Sequence, residues 1–239
     1  MKMVTAAILV IGDEVLSGRT QDANTQVLAK ALGEVGISLR ESRAIADDEE
    51  TIITALNALR ERFDYVFTSG GIGPTHDDIT AEAVGKAFGV AVTIRDDARA
   101  LLEAHYGDQI NEGRLRMARI PDGASLIANP ISIAPGFRIE NVFVMAGVPK
   151  IFAVMLNAVV PTLKSGAVIE EVSLACPHGE GVLSAPLSAV ADKHPSVSIG
   201  SYPRIKVGGG FEVTIVARSA DTAALAAAEA DLREMLSQL

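Results

Sequence analysis

The chain has no tryptophan, a single cysteine and few aromatic residues of any kind. With aromatics at 4%, a core must rest on Ala, Val, Ile and Leu, which suits layered α/β packing. One cysteine, Cys176, excludes an intrachain disulfide and any cysteine-based zinc site, and it reads as a packed strand residue. Basic residues are outnumbered, 21 Lys and Arg against 30 Asp and Glu. The resulting net charge of -9 argues against nonspecific nucleic-acid binding and against an anionic membrane surface. Long apolar runs are scarce. Residues 3–11 are apolar but end in Gly12-Asp13-Glu14 with no small-residue cleavage site, so they read as a buried strand and not a signal peptide. Residues 142–160 are the other candidate for a membrane, and Gly147, Pro149 and Lys150 interrupt them. These exclusions predict a cytoplasmic protein with no nucleic-acid and no membrane partner.

At 239 residues, 49% of them hydrophobic, the chain has material for one large domain or for one medium and one small. The continuous apolar run Val4–Ile11 predicts a strand covered on both faces. Val27, Leu28, Ala31, Leu32 and Val35 fall at helical spacing, and Gly36 closes that helix. A second strand over 37–46 alternates and so lies near an edge. A helix over 49–62, a strand over 63–69 and a helix over 79–88 complete a β-α-β-α-β-α series. That order implies a mostly parallel sheet with right-handed crossovers and a three-layer α/β/α fold. Helices over 96–105 and 111–119, short strands over 125–128, 137–140 and 141–145, and a helix over 149–163 follow. The composition loosens at Lys164-Ser165-Gly166, which places a domain boundary after residue 165. Residues 166–239 read β-α-β-β-α, a small α+β domain whose later strands join through Gly208-Gly209-Gly210.

The stretch Thr68-Ser69-Gly70-Gly71-Ile72-Gly73-Pro74-Thr75-His76-Asp77-Asp78-Ile79-Thr80 sits between strand and helix. Glycine lets backbone N–H groups approach a ligand closely, and the helix start behind the turn favours an anion such as phosphate. Asp77 and Asp78 fit beside phosphates if a divalent metal lies between them, and Asp78 is also a candidate helix cap. Three loops, at Gly12, Asp47 and Gly70, lie at carboxyl ends of strands, where ligands of such sheets bind. Arg19 is the one basic residue within them.

Ser69-Gly70-Gly71-Ile72-Gly73-Pro74-Thr75-His76-Asp77-Asp78-Ile79-Thr80-Ala81-Glu82-Ala83 resembles the signature of the molybdopterin-binding (MoaB/Mog-like) superfamily. Its Gly-Pro-Thr-x-Asp-Asp-Ile-Thr form looks like the N-terminal branch of the competence/damage-inducible protein A (CinA) family. Gly12-Asp13-Glu14-Val15-Leu16-Ser17-Gly18, Asp22, Asn24, Ala46-Asp47-Asp48, Asn129-Pro130, Ala134-Pro135-Gly136-Phe137 and Gly147-Val148-Pro149 resemble the family's other loops. The resemblance covers residues 4–163 and continues more weakly beyond. It implies that the second domain is KH-like or ferredoxin-like. It implies catalytic roles for Asp47 and Asp78, which match aspartates of nucleotidyl transfer in Mog-like relatives and would share a metal. It extends ligand binding to Gly12, Asp13, Thr68, Ser69, Gly70, Gly71, Gly73, Thr75, Asp77, Pro135, Gly136 and Gly147. Asp47 or Asp48 would cap the following helix, Asn24 would cap the first one, and Asp22 is open between a cap and a hydroxyl contact. His76 lies at a variable position of the signature, and His105, His178 and His194 read as surface residues. Met145-Ala146-Gly147 stands where the family has Leu-Pro-Gly, and Ser132 where it has glycine. A deamidase domain that CinA proteins often carry has no counterpart in the sequence, so no deamidase activity is expected.

The CinA resemblance implies a metal-dependent pyrophosphatase acting on ADP-ribose or a flavin-type dinucleotide, with Mg, Mn or Co as cofactor. The broader superfamily implies a molybdopterin-binding protein or adenylyltransferase of molybdenum cofactor biosynthesis. A third reading is a protein that holds a nucleotide or pterin without turnover. In each case the partner is a small molecule, and a homo-oligomer is expected.

Overall fold

A computed structural model describes residues 3–205 and 211–239, and the expected Gly208-Gly209-Gly210 connection lies outside them. The chain divides into two compact units, Met1–Gly166 and Ala167–Leu239. The first unit runs β1 (Val4–Ile11), α1 (Asp13–Leu16), α2 (Asn24–Glu34), β2 (Ile37–Ile45), α3 (Glu49–Arg62), β3 (Tyr65–Ser69) and α4 (Thr80–Phe88). It continues with β4 (Val92–Ile94), α5 (Asp96–Tyr106), α6 (Glu112–Arg116), β5 (Arg119–Pro121), β6 (Ser125–Ile127), β7 (Gly136–Ile139), β8 (Val142–Met145) and α7 (Pro149–Val159).

Six strands form one sheet in the order β2-β1-β3-β8-β7-β6. The first four run parallel, and β7 and β6 add an antiparallel end. β1 explains the layering. Ala7, Leu9 and Ile11 pack into one core with Leu56 and Val84 from α3 and α4. Ala6, Ile8 and Val10 pack into the other with Leu28 from α2 and Phe152 from α7. A strand buried on both faces reads as a continuous apolar run because each residue parity has its own core. β2 is an edge strand, as its alternation predicted, with a bulge opposite Ala6 and Ala7.

Two features depart from the sequence reading. β4 and β5 pair as a small separate antiparallel ribbon that three-residue strands gave no pattern to reveal. The helix expected over 111–119 spans only Glu112–Arg116, with Asn111 capping it through a 2.9 Å bond from the Arg114 N–H.

The second unit runs β9 (Glu170–Cys176), α8 (Glu180–Lys193), β10 (Ser198–Ile205), β11 (Phe211–Ser219) and α9 (Thr222–Ser237). Its three strands form an antiparallel sheet ordered β10-β11-β9. Leu174, Cys176, Leu183, Ile215 and Leu232 are among the residues of its core. Asp221 caps α9 by accepting the Ala223 and Ala224 N–H groups at 3.0 Å. His194 is not a surface residue: it is half-buried and bonds Asp231 at 2.5 Å, beside a Lys193–Asp231 pair at 2.7 Å.

Candidate functional site

The loops after β1, β2 and β3 all open at the carboxyl end of the parallel strands. Gly70 and Gly71 make the turn after β3 with φ of 112° and 69°. A Cβ on Gly70 would collide with the Ile11 carbonyl oxygen, and one on Gly71 with Thr80 Oγ1. Only glycine fits both the left-handed backbone and the space. Thr80, fully buried at the start of α4, closes the loop: its hydroxyl donates to the Gly70 carbonyl at 3.0 Å and its N–H to the Gly71 carbonyl at 3.0 Å. The Gly70 N–H donates to Met145 O at 3.2 Å, whereas the N–H groups of Gly71, Ile72 and Gly73 have no partner among the described residues. Three consecutive unpaired amides after a left-handed turn are the raw material of an anion nest.

Further along the loop, Thr75 N–H and Oγ1 donate to Asp78 Oδ2 at 2.9 and 2.6 Å. Asp78 therefore does not cap α4, whose N-cap position is Ile79 without a side-chain bond. The aspartate pair after β2 splits its roles. Asp48 caps α3 by accepting the Thr51 N–H at 2.9 Å, and Asp47 is left to accept the Asp13 N–H at 3.0 Å. Asp47 is thus tied to the loop after β1.

Burial raises the Asp47 carboxyl above its ordinary value. The Asp13 N–H opposes this, and the nearby charges of Asp13, Glu14 and Asp77 add to it. Asp77 is held below the ordinary range first by the Thr75 hydroxyl, then by its own N–H, and less by His76 and Arg116.

Asn24 corrects the expected cap. Asp22 takes that role, accepting the Asn24 and Thr25 N–H groups at 2.9 and 3.2 Å. Asn24 instead points its amide inward, donating to Ser69 Oγ and to the Gly147 carbonyl, both at 2.7 Å. It is 4% exposed, and its Oδ1 is buried without a partner. Asn24, Ser69 and Gly147 border a cavity of about 40 Å³, which is room for one or two waters.

Other expected ligand residues serve packing. Thr68 is fully buried in β3 and does not reach the loop surface. Gly136 is buried in β7, where a Cβ would collide with Met155 and the Val144 carbonyl. Gly147 lies against Gly70, and an added Cβ would stand 3.3 Å from its Cα. Ser132, where the family has glycine, is absorbed by a local turn: buried Asn129 donates to its Oγ at 2.6 Å and accepts its N–H at 3.3 Å.

The structure adds two residues that sequence order hid. Arg116 and Arg119 line a narrow cleft with Gly71, Gly73, Asp78 and Pro135. Arg119 pairs with Glu82 of α4 at 2.5 Å. The signal was the arginine spacing over 114–119, and only the fold brings it to the glycine loop.

The chain is similar to several known proteins. Residues 7–165 match the family described as "Probable molybdopterin binding domain". A crystal structure described as the protein CinA, with unknown function, from Thermoplasma acidophilum superposes with a TM-score of 0.63 at 34% identity, covering 66% of this chain and 96% of that one. The chain belongs to the CinA branch of the molybdopterin-binding (MoaB/Mog-like) family. Within this CinA-type chain, residues 170–239 match the middle domain of FAD synthase. A CinA-like protein of Syntrophotalea carbinolica is 37% identical over 63% of this chain and 38% of its own length. A protein of Pyrococcus abyssi is 34% identical over 83% of this chain and 85% of its own. No helix among the described residues is long and apolar enough to cross a membrane.

The residues present can be tested against a divalent cation. Among the described residues no three His, Cys, Asp or Glu side chains converge as a metal cage. The acids that do gather around Asp47 are carboxylates of the hard-oxygen type. That set fits a cation of the magnesium kind, which takes one or two carboxylates and completes its shell with water and substrate phosphate.

Proposed function

We propose that this cleft binds a dinucleotide-type diphosphate, such as ADP-ribose or FAD, and hydrolyses its pyrophosphate link. The observation that carries the reading is the run of unpaired N–H groups at Gly71, Ile72 and Gly73, next to the acids around Asp47. Backbone amides in a fixed turn stabilise phosphate charge without reorganising. Asp47 and Asp78 would hold a divalent cation, which when bound neutralises the diphosphate and lowers the pKa of the attacking water. Thr75 fixes one oxygen of Asp78 and leaves the other available. The Asp13 N–H anchors Asp47 from the neighbouring loop. Water oxygen bonds to phosphorus, the bridging P–O bond breaks, and the water's protons balance the new phosphate and its leaving group. ADP-ribose gives AMP and ribose 5-phosphate, and FAD gives AMP and FMN.

The FAD synthase match of residues 170–239 supports a flavin-type substrate. The matching family's description supports a second reading, a molybdopterin-binding protein or adenylyltransferase with the same phosphate machinery. The test is to incubate the protein with ADP-ribose, FAD, or ATP plus molybdopterin, in Mg²⁺, Mn²⁺, Co²⁺ or EDTA. AMP from ADP-ribose or FAD, lost in EDTA and in Asp47→Asn, is the expected result. Pterin-dependent consumption of ATP with no dinucleotide hydrolysis would move the second reading to first place.

A further inference from the structure

A second space lies on the other flank of the glycine turn. The cleft at Gly71 and Gly73 is walled by Ala81 and Glu82 of α4, whereas the cavity at Asn24 is bordered by the starts of α2 and α7, on the opposite face of the sheet. Its floor is the carboxyl ends of three neighbouring strands: Ile11 of β1, Ser69 of β3 and Gly147 just past β8. Asn24 is 4% exposed, and its Oδ1 is buried with no partner among the described residues. Turning the amide over gives no relief. The Gly147 carbonyl needs a donor at 2.7 Å, so the Nδ2 end is fixed there and Oδ1 stays an acceptor. Both Nδ2 hydrogens are committed, one to Gly147 and one to Ser69. Thr20 and Gln21 also border the cavity, and neither bonds Asn24 Oδ1. A buried acceptor without a donor is costly, so the site favours a group that brings one.

We infer that this cavity is a subsite for one sugar hydroxyl, which donates to Asn24 Oδ1. The inference rests on the diphosphate reading and adds to it where the pentose goes. Size and charge set the class of group. About 40 Å³ takes a hydroxyl and the carbon that bears it, and excludes a purine or flavin ring. Glu14 and Asp22 on its border repel a phosphate and favour a neutral donor. Glu14, Thr20 and Gln21 are exposed, so the cavity reaches the surface. Ser69 and Gly71 are two residues apart, at most about 7 Å of chain. A pentose bonded to a phosphate held at Gly71 is therefore within reach of the cavity. The competing role for Asn24 is purely structural: a buried water satisfies Oδ1, and the side chain only ties Ser69 to Gly147. That role gives no preference for a ligand hydroxyl.

The experiment titrates ADP, 2′-deoxy-ADP, 3′-deoxy-ADP and inorganic pyrophosphate into the full chain by calorimetry, with Mg²⁺ present. ADP carries a single pentose on a single diphosphate, so it can present that sugar to the cavity from either end. Wild type, Asn24→Ala and Val15→Leu are compared, and melting of each is recorded. In wild type the deoxy compound lacking the hydroxyl that meets Asn24 should bind roughly tenfold more weakly than ADP. In Asn24→Ala that ratio should vanish, whereas mere loosening of the loop would weaken every ligand alike and keep the ratio. Val15→Leu narrows the cavity and leaves Asn24 in place, so it should shrink the ratio as well, and it decides the matter if Asn24→Ala does not fold. Equal affinity of wild type for ADP and both deoxy compounds overturns the inference, and pyrophosphate binding then leaves the diphosphate reading standing. A ratio that survives in the folded variants places the hydroxyl elsewhere and also overturns it. A wild type that binds neither ADP nor pyrophosphate removes both the inference and the reading beneath it.

Discussion

Asp47 is where the proposed function and stability oppose each other. Burial and three neighbouring acids raise its carboxyl, so its charged form is disfavoured in the fold. A raised acid stabilises the fold fully only below its unfolded value, and that contribution is lost as pH rises through the folded value. At neutral pH the native state therefore carries a penalty that asparagine removes, while asparagine can still accept the Asp13 N–H. Asp47→Asn should melt higher than wild type near neutrality, with the difference shrinking toward about pH 4 as the carboxyl protonates in both states. Its dinucleotide hydrolysis should fall by roughly 100-fold if it holds the cation. Thermal melts across that pH range, read beside turnover, check both halves. A variant less stable at pH 7 contradicts the electrostatic account. Gly70→Ala belongs to the same scale. Its φ of 112° and the Ile11 carbonyl leave a methyl nowhere to go, so a loss of about 2–3 kcal/mol by denaturant titration is expected. Residue identity alone separated these roles unevenly. The glycine turn could be read because glycine has one reason to sit there. Asp47 and Asp48 could not be told apart, because either can cap a helix and only the position of Asp13 decides. Asn24, expected to cap the first helix, leaves that role to Asp22, which was open between a cap and a hydroxyl contact.

At the scale of elements, α2, β3 and the loop after β8 meet at one side chain. The Asn24 amide joins Ser69 to the Gly147 carbonyl, and Gly147 rests on Gly70. Asn24→Ala would leave a buried hydroxyl and a carbonyl without their donor, which costs about 1–3 kcal/mol. It should also loosen the glycine loop and weaken pyrophosphate binding. Calorimetry on a variant that stays folded separates the two effects, and unchanged binding would show that Gly70 and Gly71 hold the loop without help from α2. The elements were legible where a period persisted. β1 is eight residues long and feeds two cores, and α3 runs fourteen residues from a clear acidic cap. β4 and β5 are three residues each, too short for alternation to show. Arg116 stayed hidden because its neighbours in the cleft come from the loop after β3, from α4 and from the loop before β7, remote in sequence.

For the whole molecule, the two units have separate cores. Residues 1–166 produced alone should be soluble and unfold in one cooperative step, since the sheet and both its helical layers lie within them. A product that is insoluble, or that lacks a melting transition, would show that the first unit depends on the second. The net charge of -9 sharpens the question the proposed function raises, which is how an acidic protein would hold an acidic ligand. Under the proposed reading the loop amides hold phosphate charge, and a cation would offset the repulsion from the acids around Asp47. The most direct measurement is calorimetric titration of a methylene-bridged, non-hydrolysable ADP-ribose analogue into the full chain, in EDTA and in Mn²⁺. Affinity at least tenfold higher in Mn²⁺, with that gain lost in Asp47→Asn, is the expected result. Equal affinity in EDTA and Mn²⁺ would contradict the account.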